Sequence, residues 1–231
     1  MTGVQTCALP ISSYDGRVDV WYTNGLVNAI RLAQASDIFL HPVFMSYDSL
    51  LQRARNDCIR LAIEGEYESM IFIDSDMEFN PEWILELINR PEDIVGGTAR
   101  KKTDTAELYC VKTDNIEKSS NGLIKLKSIG TGFVKISQKA LKAIWDVSEP
   151  YQNEGRECRM CCNVEVRNGQ LVSEDITLFE RLGDLGFDIW LDPKMCCGHI
   201  GVKKYEGNLE AYLMRLKSTM FLKPLQSAVK G

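Results

Sequence analysis

The chain has 231 residues, of which 45% are hydrophobic and 26% are charged, a balance typical of one folded globular domain. Its net charge of −5 gives no support to a general nucleic-acid-binding role, although local basic clusters stay compatible with one. No apolar run approaches the roughly 18 residues that a membrane-spanning helix needs, and the N-terminus lacks the pattern of a secretory signal. We therefore expect a cytoplasmic protein with no membrane span.

The first eleven residues form an unusual string that resembles translated sequencing-adapter sequence at the end of a metagenomic fragment. We therefore expect a non-native N-terminal segment over 1–11, a main domain over 12–205 and a C-terminal helical extension over 206–231. The extension is predicted from apolar residues at helical spacing, and it should pack on the domain or on a partner. These residues are Leu209, Leu213, Leu216 and Met220.

Strand and helix patterns alternate through the first hundred residues, which predicts a doubly wound parallel sheet. Pro42 places its strand near a sheet edge, and the continuous apolar run at 70–73 is typical of a strand buried on both faces. The predicted elements are a helix over 19–35, a strand over 38–44, a helix over 49–64 ended by Gly65, a strand over 70–73, a helix after Asn80 and Pro81, and a strand over 93–97.

The second half of the chain is more mixed, so the predicted fold is a single-domain, Rossmann-like α/β domain with a mixed, mostly parallel sheet flanked by helices. Ser173 is expected to cap the helix that follows it. The predicted elements are strands over 107–111 and 123–128, a segment over 130–136 that leads into a helix over 137–146, a helix over 173–185, and a short strand over 188–191.

Two aspartates, Asp74 and Asp76, follow directly after the buried strand at 70–73. In open α/β sheets, ligands bind at the carboxyl ends of the strands. Two carboxylates there suit Mg2+ or Mn2+, which would bridge a diphosphate and stabilise the charge of a leaving phosphate. The alternative is a solvated acidic turn, because Asp-x-Asp is a common pattern. The preceding strand favours the metal site.

Further short motifs surround this strand end in a fixed order. Together with 71–79 (IFIDSDMEF), they resemble glycosyltransferases of the A-type fold, and most of all the small, single-domain, family-2-like enzymes of phage and bacterial genomes. The resemblance covers about 13–201 and rests on order and spacing, since each motif is weak alone. The motifs are RARN at 53–56, GG at 96–97, GTGF at 130–133, SED at 173–175 and CGHIG at 197–201.

The resemblance implies a metal-dependent transfer of a sugar from a nucleotide diphosphate to an acceptor hydroxyl. Asp74, Asp76 and His199 would hold the metal, and Asp175, with Glu174 beside it, would take the acceptor proton if the reaction inverts configuration. The competing interpretations are a structural histidine in a Gly-rich turn and acidic residues favoured by a helix dipole. His41 is interpreted as structural.

The resemblance also implies a donor-binding surface, for which the alternative is a set of solvated charges. Arginine suits bidentate phosphate contacts, and glycines let backbone approach a ligand closely. In addition to Asp74 and Asp76, the candidate donor-binding residues are Tyr14, Asp15, Gly16, Arg53, Arg55, Asn56, Ser75, Lys102, Gly130, Gly132, Lys203 and Lys204.

The donor is expected to be a nucleotide-diphospho-sugar, of UDP or GDP type. The acceptor stays open between a saccharide and a hydroxymethylated DNA base, for which scattered lysines would supply contacts; the acidic net charge disfavours DNA. The lysines that would supply these contacts are Lys125, Lys127, Lys135, Lys139, Lys142, Lys203 and Lys204. The alternative functions are a nucleotidyltransferase acting on a sugar phosphate, a binding protein with a degenerate site, and a zinc-stabilised interaction module.

The zinc alternative depends on the cysteines, of which the chain has eight. Cys158 and Cys161 form one good ligand pair. Cys196 and Cys197 are a poor second pair, because adjacent strand residues point to opposite faces. Free thiols are therefore favoured over structural zinc. Cys58 and Cys110 are interpreted as small hydrophobic residues.

Overall fold

Alternating strands and helices build the first hundred residues in the computed structural model, which describes residues 5–13, 16–112 and 119–221. The helices are α1 (Val20–Ala35), α2 (Leu51–Glu64), α3 (Glu82–Asn89), α4 (Gln138–Asp146), α5 (Glu174–Asp184) and α6 (Leu209–Phe221). The strands are β1 (Gln5–Ser13), β2 (Ile38–Ser46), β3 (Ser69–Ile73), β4 (Met77–Glu78), β5 (Ile94–Ala99), β6 (Val111–Lys112), β7 (Ile124–Leu126), β8 (Ser128–Ile129), β9 (Phe133–Ser137), β10 (Pro150–Asn153), β11 (Arg156–Arg159), β12 (Glu165–Arg167), β13 (Gln170–Val172), β14 (Ile189–Ile200) and β15 (Lys204–Tyr205).

The central sheet has the strand order β15-β14-β5-β9-β3-β1-β2, with β4 and β7 also paired to β14. β1 is parallel to β2 and β3, and β14 is parallel to β5. β9 is antiparallel to both β3 and β5, which therefore run in the same direction. The predicted mixed, mostly parallel sheet is confirmed, and the carboxyl ends of β3, β5 and β14 meet at one edge.

Helices cover both faces of this sheet. Leu26 of α1 and Leu87 of α3 belong to the buried cluster on one face. Ile59 of α2, Leu141 of α4 and Leu178 of α5 belong to the cluster on the other face. Because β3 lies between these two layers, every one of its residues is buried, which explains its uninterrupted apolar sequence.

Side-chain caps explain where several helices begin. Asp19 Oδ1 accepts the Trp21 N–H at 2.8 Å before α1, and Ser137 Oγ accepts the Ala140 N–H at 3.2 Å before α4. These bonds satisfy N–H groups that the first turn of a helix leaves unpaired. Ser173 differs from the expectation, because its hydroxyl donates to the Asp175 carboxylate and accepts no helix N–H.

Several predicted boundaries in the second half need correction. The last strand continues from Ile189 to Ile200, far beyond the predicted 188–191. Most of the predicted strand over 107–111 is irregular, with Tyr109 forming an isolated bridge to Arg100. The predicted strand over 123–128 is divided into β7 and β8, which pair with different partners. Apolar runs identify these segments as buried but do not fix their pairing.

The two ends of the described chain both pack on the domain. β1 crosses the predicted boundary at residue 12, and its Cys7 and Leu9 are fully buried between β2 and β3. Leu209 and Leu213 of α6 join the core cluster that includes Tyr109, as expected for an extension that packs on the domain. None of the helices in residues 5–13, 16–112 and 119–221 combines the length and apolar character that a bilayer crossing requires.

Candidate active site

A cleft of about 270 Å³ opens at the carboxyl ends of β3 and β5, beside the start of α5. This is the position at which open α/β sheets bind ligands. The structure brings seven of the predicted site residues to its wall: Arg55, Asp74, Gly130, Gly132, Glu174, Asp175 and His199. They come from separate parts of the chain, so their convergence is a property of the fold.

Arg55 lies almost fully buried between two acidic residues of the cleft. Its Nη1 donates to Glu174, and its Nη2 lies 3.5 Å from Asp74 Oδ1. Burial acts to lower the pKa of Arg55, but the charges of Asp74 and Glu174 outweigh it and raise that pKa above its ordinary value. The guanidinium therefore stays charged, and its charge is already matched by carboxylates that link α2 to α5.

Asp76 forms a second charged group with Lys102 and His199. Asp76 Oδ2 lies 2.5 Å from Lys102 Nζ and 3.6 Å from His199 Nε2. Burial acts to raise the pKa of the Asp76 carboxyl, but His199 and Lys102 outweigh it and lower that pKa. His199 Nδ1 lies 2.9 Å from the carbonyl oxygen of Arg100, which fixes the ring and leaves Nε2 directed at Asp76.

The three predicted metal ligands are not assembled into one ligand group. Within the described ranges, no cluster of three or more His, Cys, Asp or Glu side chains could hold a metal ion. Asp74 lies beside Arg55, whereas Asp76 lies beside Lys102 and His199. The structure therefore brings Asp76 and His199 together and leaves Asp74 with a different partner.

Asp175 lies beside a glycine turn in the cleft wall. Its Oδ1 accepts bonds from Ser173 Oγ and from the Ile176 N–H, the latter at 2.8 Å. A Cβ atom added to Gly130 would lie 3.8 Å from Asp175 Oδ2, and one added to Gly132 would lie 3.3 Å from Asp74 Oδ2. The two carboxylates therefore lie near the two ends of the turn at 130–132, one beside each glycine.

Two predicted donor-binding residues of α2 lie away from the cleft. Asn56 is fully buried, where its side chain accepts the Cys162 N–H at 2.7 Å and donates to the Cys162 carbonyl at 3.1 Å. Arg53 pairs with Asp48 instead, with 2.8 Å between Nη2 and Oδ1. Successive helical residues point about 100° apart, so Arg55 and its neighbour face different surroundings.

The remaining predicted donor-binding residues are close to the cleft or at the surface. The Ser75 carbonyl accepts the Asp19 N–H at 3.1 Å and so joins α1 to the aspartate turn. Lys203 lies 2.5 Å from Asp104, and Lys204 lies 2.8 Å from Glu78. Each lysine therefore has a carboxylate partner in this structure.

The first loop supplies little of the expected surface in the described residues. Gly16 is exposed and adopts a φ of +72°, and an added Cβ would lie 2.6 Å from the Tyr47 hydroxyl. Tyr14 and Asp15 lie outside the described residues.

Among the lysines considered for DNA contact, Lys135 is buried and donates to the Arg90 carbonyl at 2.6 Å, so it is not part of a contact surface.

Sequence patterns did not identify three polar residues of the cleft wall, Thr98, Thr131 and Cys110. Thr131 lies inside the GTGF motif and Thr98 follows the Gly-Gly pair, so both were close to recognised signals. Threonine in or beside a strand is also ordinary for a sheet, and its type alone points to no ligand. Cys110, interpreted as a small hydrophobic residue, is partly exposed here, and burial raises the pKa of its thiol.

The four candidate zinc ligands do not converge. Cys158 and Cys161 are both buried, and Cys161 belongs to the core cluster that includes Leu178 of α5. Cys196 packs against the core cluster on that side of the sheet, whereas Cys197 belongs to the cluster on the opposite side. Strand alternation thus separates the adjacent cysteines, as their sequence predicts.

Comparisons with known proteins establish similarity of fold only. No protein-family model and no curated protein matches the chain. A crystal structure of A197 from STIV is similar with a TM-score of 0.55 at 18% identity, covering 85% of this chain and 86% of that one. S. aureus TarS 1–349 matches with a TM-score of 0.43 at 13% identity, covering 97% and 68%.

A putative glucose-1-phosphate thymidylyltransferase from Bacillus anthracis, in complex with a sucrose, matches with a TM-score of 0.40 at 10% identity, covering 97% of this chain and 98% of that one. TM-scores below 0.5 do not establish a shared fold. Function is therefore inferred from the geometry of the cleft.

Proposed function

We propose that this chain is a metal-dependent glycosyltransferase that moves a sugar from a nucleotide-diphospho-sugar to an acceptor hydroxyl. One observation carries the proposal. Asp175 Oδ2 lies near Gly130 and Asp74 Oδ2 lies near Gly132, at the two ends of the glycine turn at 130–132, with Asp76 and His199 next to the aspartate strand end. A transferred group resting on that turn would have a carboxylate on its acceptor side and acidic residues on its diphosphate side.

The residues near Asp76 fit a divalent cation. Carboxylate oxygen and imidazole nitrogen are ligands for Mn2+, and carboxylate suits Mg2+. The contact from His199 Nδ1 to the Arg100 carbonyl favours the tautomer whose Nε2 carries a lone pair toward Asp76. Lys102 Nζ already places a positive charge beside this carboxylate. A bound Mn2+ or Mg2+ would neutralise the charge that develops on the leaving diphosphate.

Asp175 is the proposed base for an inverting transfer. Its Oδ2 faces the glycine turn, whereas Oδ1 is held by Ser173 and Ile176. The acceptor hydroxyl would give its proton to Oδ2 while its oxygen bonds to the anomeric carbon. The bond from that carbon to the diphosphate oxygen breaks, and the electron pair leaves with the diphosphate. Glu174 positions Arg55 and so does not act as a second base.

The donor class that we propose is a UDP- or GDP-sugar, and the acceptor is a hydroxyl of a saccharide or of a hydroxymethylated DNA base. The mainly acidic cleft suits a donor that binds together with a cation. Three carboxylates line it, from Asp74, Glu174 and Asp175, against the single guanidinium of Arg55.

The test is thermal unfolding with UDP-, GDP-, CMP- and dTDP-sugars, with and without Mn2+. A ligand at about 100 times its Kd should raise the midpoint by roughly 5–10 °C, and only with Mn2+. Asp76→Ala should abolish the Mn2+-dependent rise and the transfer. The control is Asp188→Ala, which removes a half-exposed aspartate paired with Lys125. A full Mn2+-dependent rise or full activity in Asp76→Ala would contradict the proposal.

A further inference from the structure

Two threonines of the cleft wall carry buried hydroxyl groups without a protein partner. Thr98 is 5% exposed and Thr131 is 2% exposed, and both line the cleft. Neither Oγ1 atom has a hydrogen-bond partner among the described residues. The two come from different elements, since Thr98 belongs to β5 and Thr131 to the turn before β9.

A buried hydroxyl without a partner opposes folding, so native proteins satisfy nearly all of them. Thr177 of α5 shows the ordinary situation, in which a buried hydroxyl has hydrogen-bond partners. It is fully buried, and its Oγ1 contacts the carbonyl of Asn163 and, at 3.0 Å, the carbonyl of Glu174. Thr98 and Thr131 lack such bonds among the described residues, and both residues line the cleft.

The position of Thr131 indicates which part of a ligand it would meet. It is the central residue of the turn whose flanking glycines approach Asp175 Oδ2 and Asp74 Oδ2. If the proposed function holds, on which this inference rests, that turn runs from the acceptor base to the diphosphate side. The group located there is the sugar being transferred.

The chemistry of the two threonines suits an uncharged polar partner. Each hydroxyl can donate one hydrogen bond and accept others, which matches a sugar hydroxyl or an acetamido group. The guanidinium of Arg55 is occupied by Asp74 and Glu174. We propose that Thr98 and Thr131 bind the transferred sugar through its uncharged polar groups and so determine which sugar the protein accepts.

Valine variants test this, because valine keeps the branched shape and removes only the hydroxyl. Thr131→Val and Thr98→Val should leave the Tm of the free protein unchanged or slightly higher, since no protein hydrogen bond is lost. The matched control is Thr177→Val, which should lower the Tm by roughly 3–8 °C because it leaves buried carbonyls unpaired.

Binding is measured by calorimetry with Mn2+, using the UDP- or GDP-sugar that gives the largest thermal shift and the corresponding nucleoside diphosphate without sugar. Thr131→Val and Thr98→Val should each weaken the nucleotide sugar by roughly three- to tenfold and leave the nucleoside diphosphate unchanged. Unchanged sugar binding in both variants, with normal binding by wild type, overturns this inference alone. Equal weakening of both ligands also overturns it. If wild type responds to no nucleotide sugar, the proposed function fails and the inference fails with it.

Discussion

Two buried polar regions lie side by side in this protein and differ in how their hydrogen bonds are satisfied. The first is the wall of the cleft, where Thr98 Oγ1, Thr131 Oγ1 and Arg55 Nε have no hydrogen-bond partner within the described residues. The second, which we call the brace, consists of Asn56, Thr177 and Arg181 with the segment 160–163. In the brace, Arg181 donates to the carbonyls of Met160 at 2.8 Å and Cys161 at 3.0 Å.

The same two helices carry both regions. α2 supplies Arg55 to the cleft and Asn56 to the brace, and α5 supplies Glu174 to the cleft and Thr177 to the brace. The hydrogen bonds of the brace hold α2 and α5 in place. This keeps the unpaired polar groups aligned at the cleft. The comparison teaches that depth of burial does not distinguish these two regions, whereas the pairing of Thr177 and the lack of a partner at Thr98 and Thr131 do.

The largest predicted effect is on the kcat of a variant in the cleft. Asp175→Asn should reduce kcat by roughly 100- to 10,000-fold, because an amide cannot take the acceptor proton. Donor Kd and Tm should stay near wild type, since an asparagine oxygen can still accept from Ser173 and Ile176. Steady-state kinetics, calorimetry and thermal unfolding measure the three quantities. Wild-type kcat in this variant would exclude Asp175 as the base.

The brace should respond in stability. Asn56→Ala removes both bonds to Cys162 and leaves a buried N–H and carbonyl unpaired, so the free energy of unfolding should fall by roughly 2–4 kcal/mol. Urea unfolding measures it. The control, Asn24→Ala, removes an exposed amide contact to Asn28 and should change stability by less than about 0.5 kcal/mol. Equal effects of the two variants would remove the distinction between brace and surface.

The smallest predicted effect is a pH dependence within the brace. Burial raises the pKa of the Cys161 thiol from 9.0 to about 11. Between these values the unfolded chain loses a proton that the folded protein keeps, so stability present below pH 9 is lost as pH rises. The slope should be about 1.4 kcal/mol per pH unit for this thiol. Cys161→Ala should show a shallower decline in urea unfolding between pH 9 and 11, and an identical decline would contradict the assignment.

Much of the fold followed from local patterns. The buried apolar run of β3, the helix that begins near Asp19 and the edge position of the strand with Pro42 were all predicted and are confirmed. These features depend on neighbouring residues and on backbone chemistry, which the chain carries in order. The short strands between 107 and 129 were predicted poorly, because their pairing depends on distant partners.

The candidate site divides in the same way. The sequence by itself determined that Asp74 and Asp76 end a buried strand and that Glu174 and Asp175 begin a helix, since strand ends and helix starts are local signals. Only the tertiary structure decided what these side chains meet. It directs Arg55 into the cleft and its neighbour Asn56 into the brace, because one residue of helix rotation changes the surroundings completely.

The same reason applies to the threonines. Thr98, Thr131 and Thr177 are equivalent as residue types, and their flanking sequences do not say which hydroxyl finds a partner. Packing decided that Thr177 bonds to backbone carbonyls and that the other two, which line the cleft, have no such bond among the described residues. Hydrogen-bond satisfaction depends on atoms brought together from distant parts of the chain, so it exists only in the folded protein.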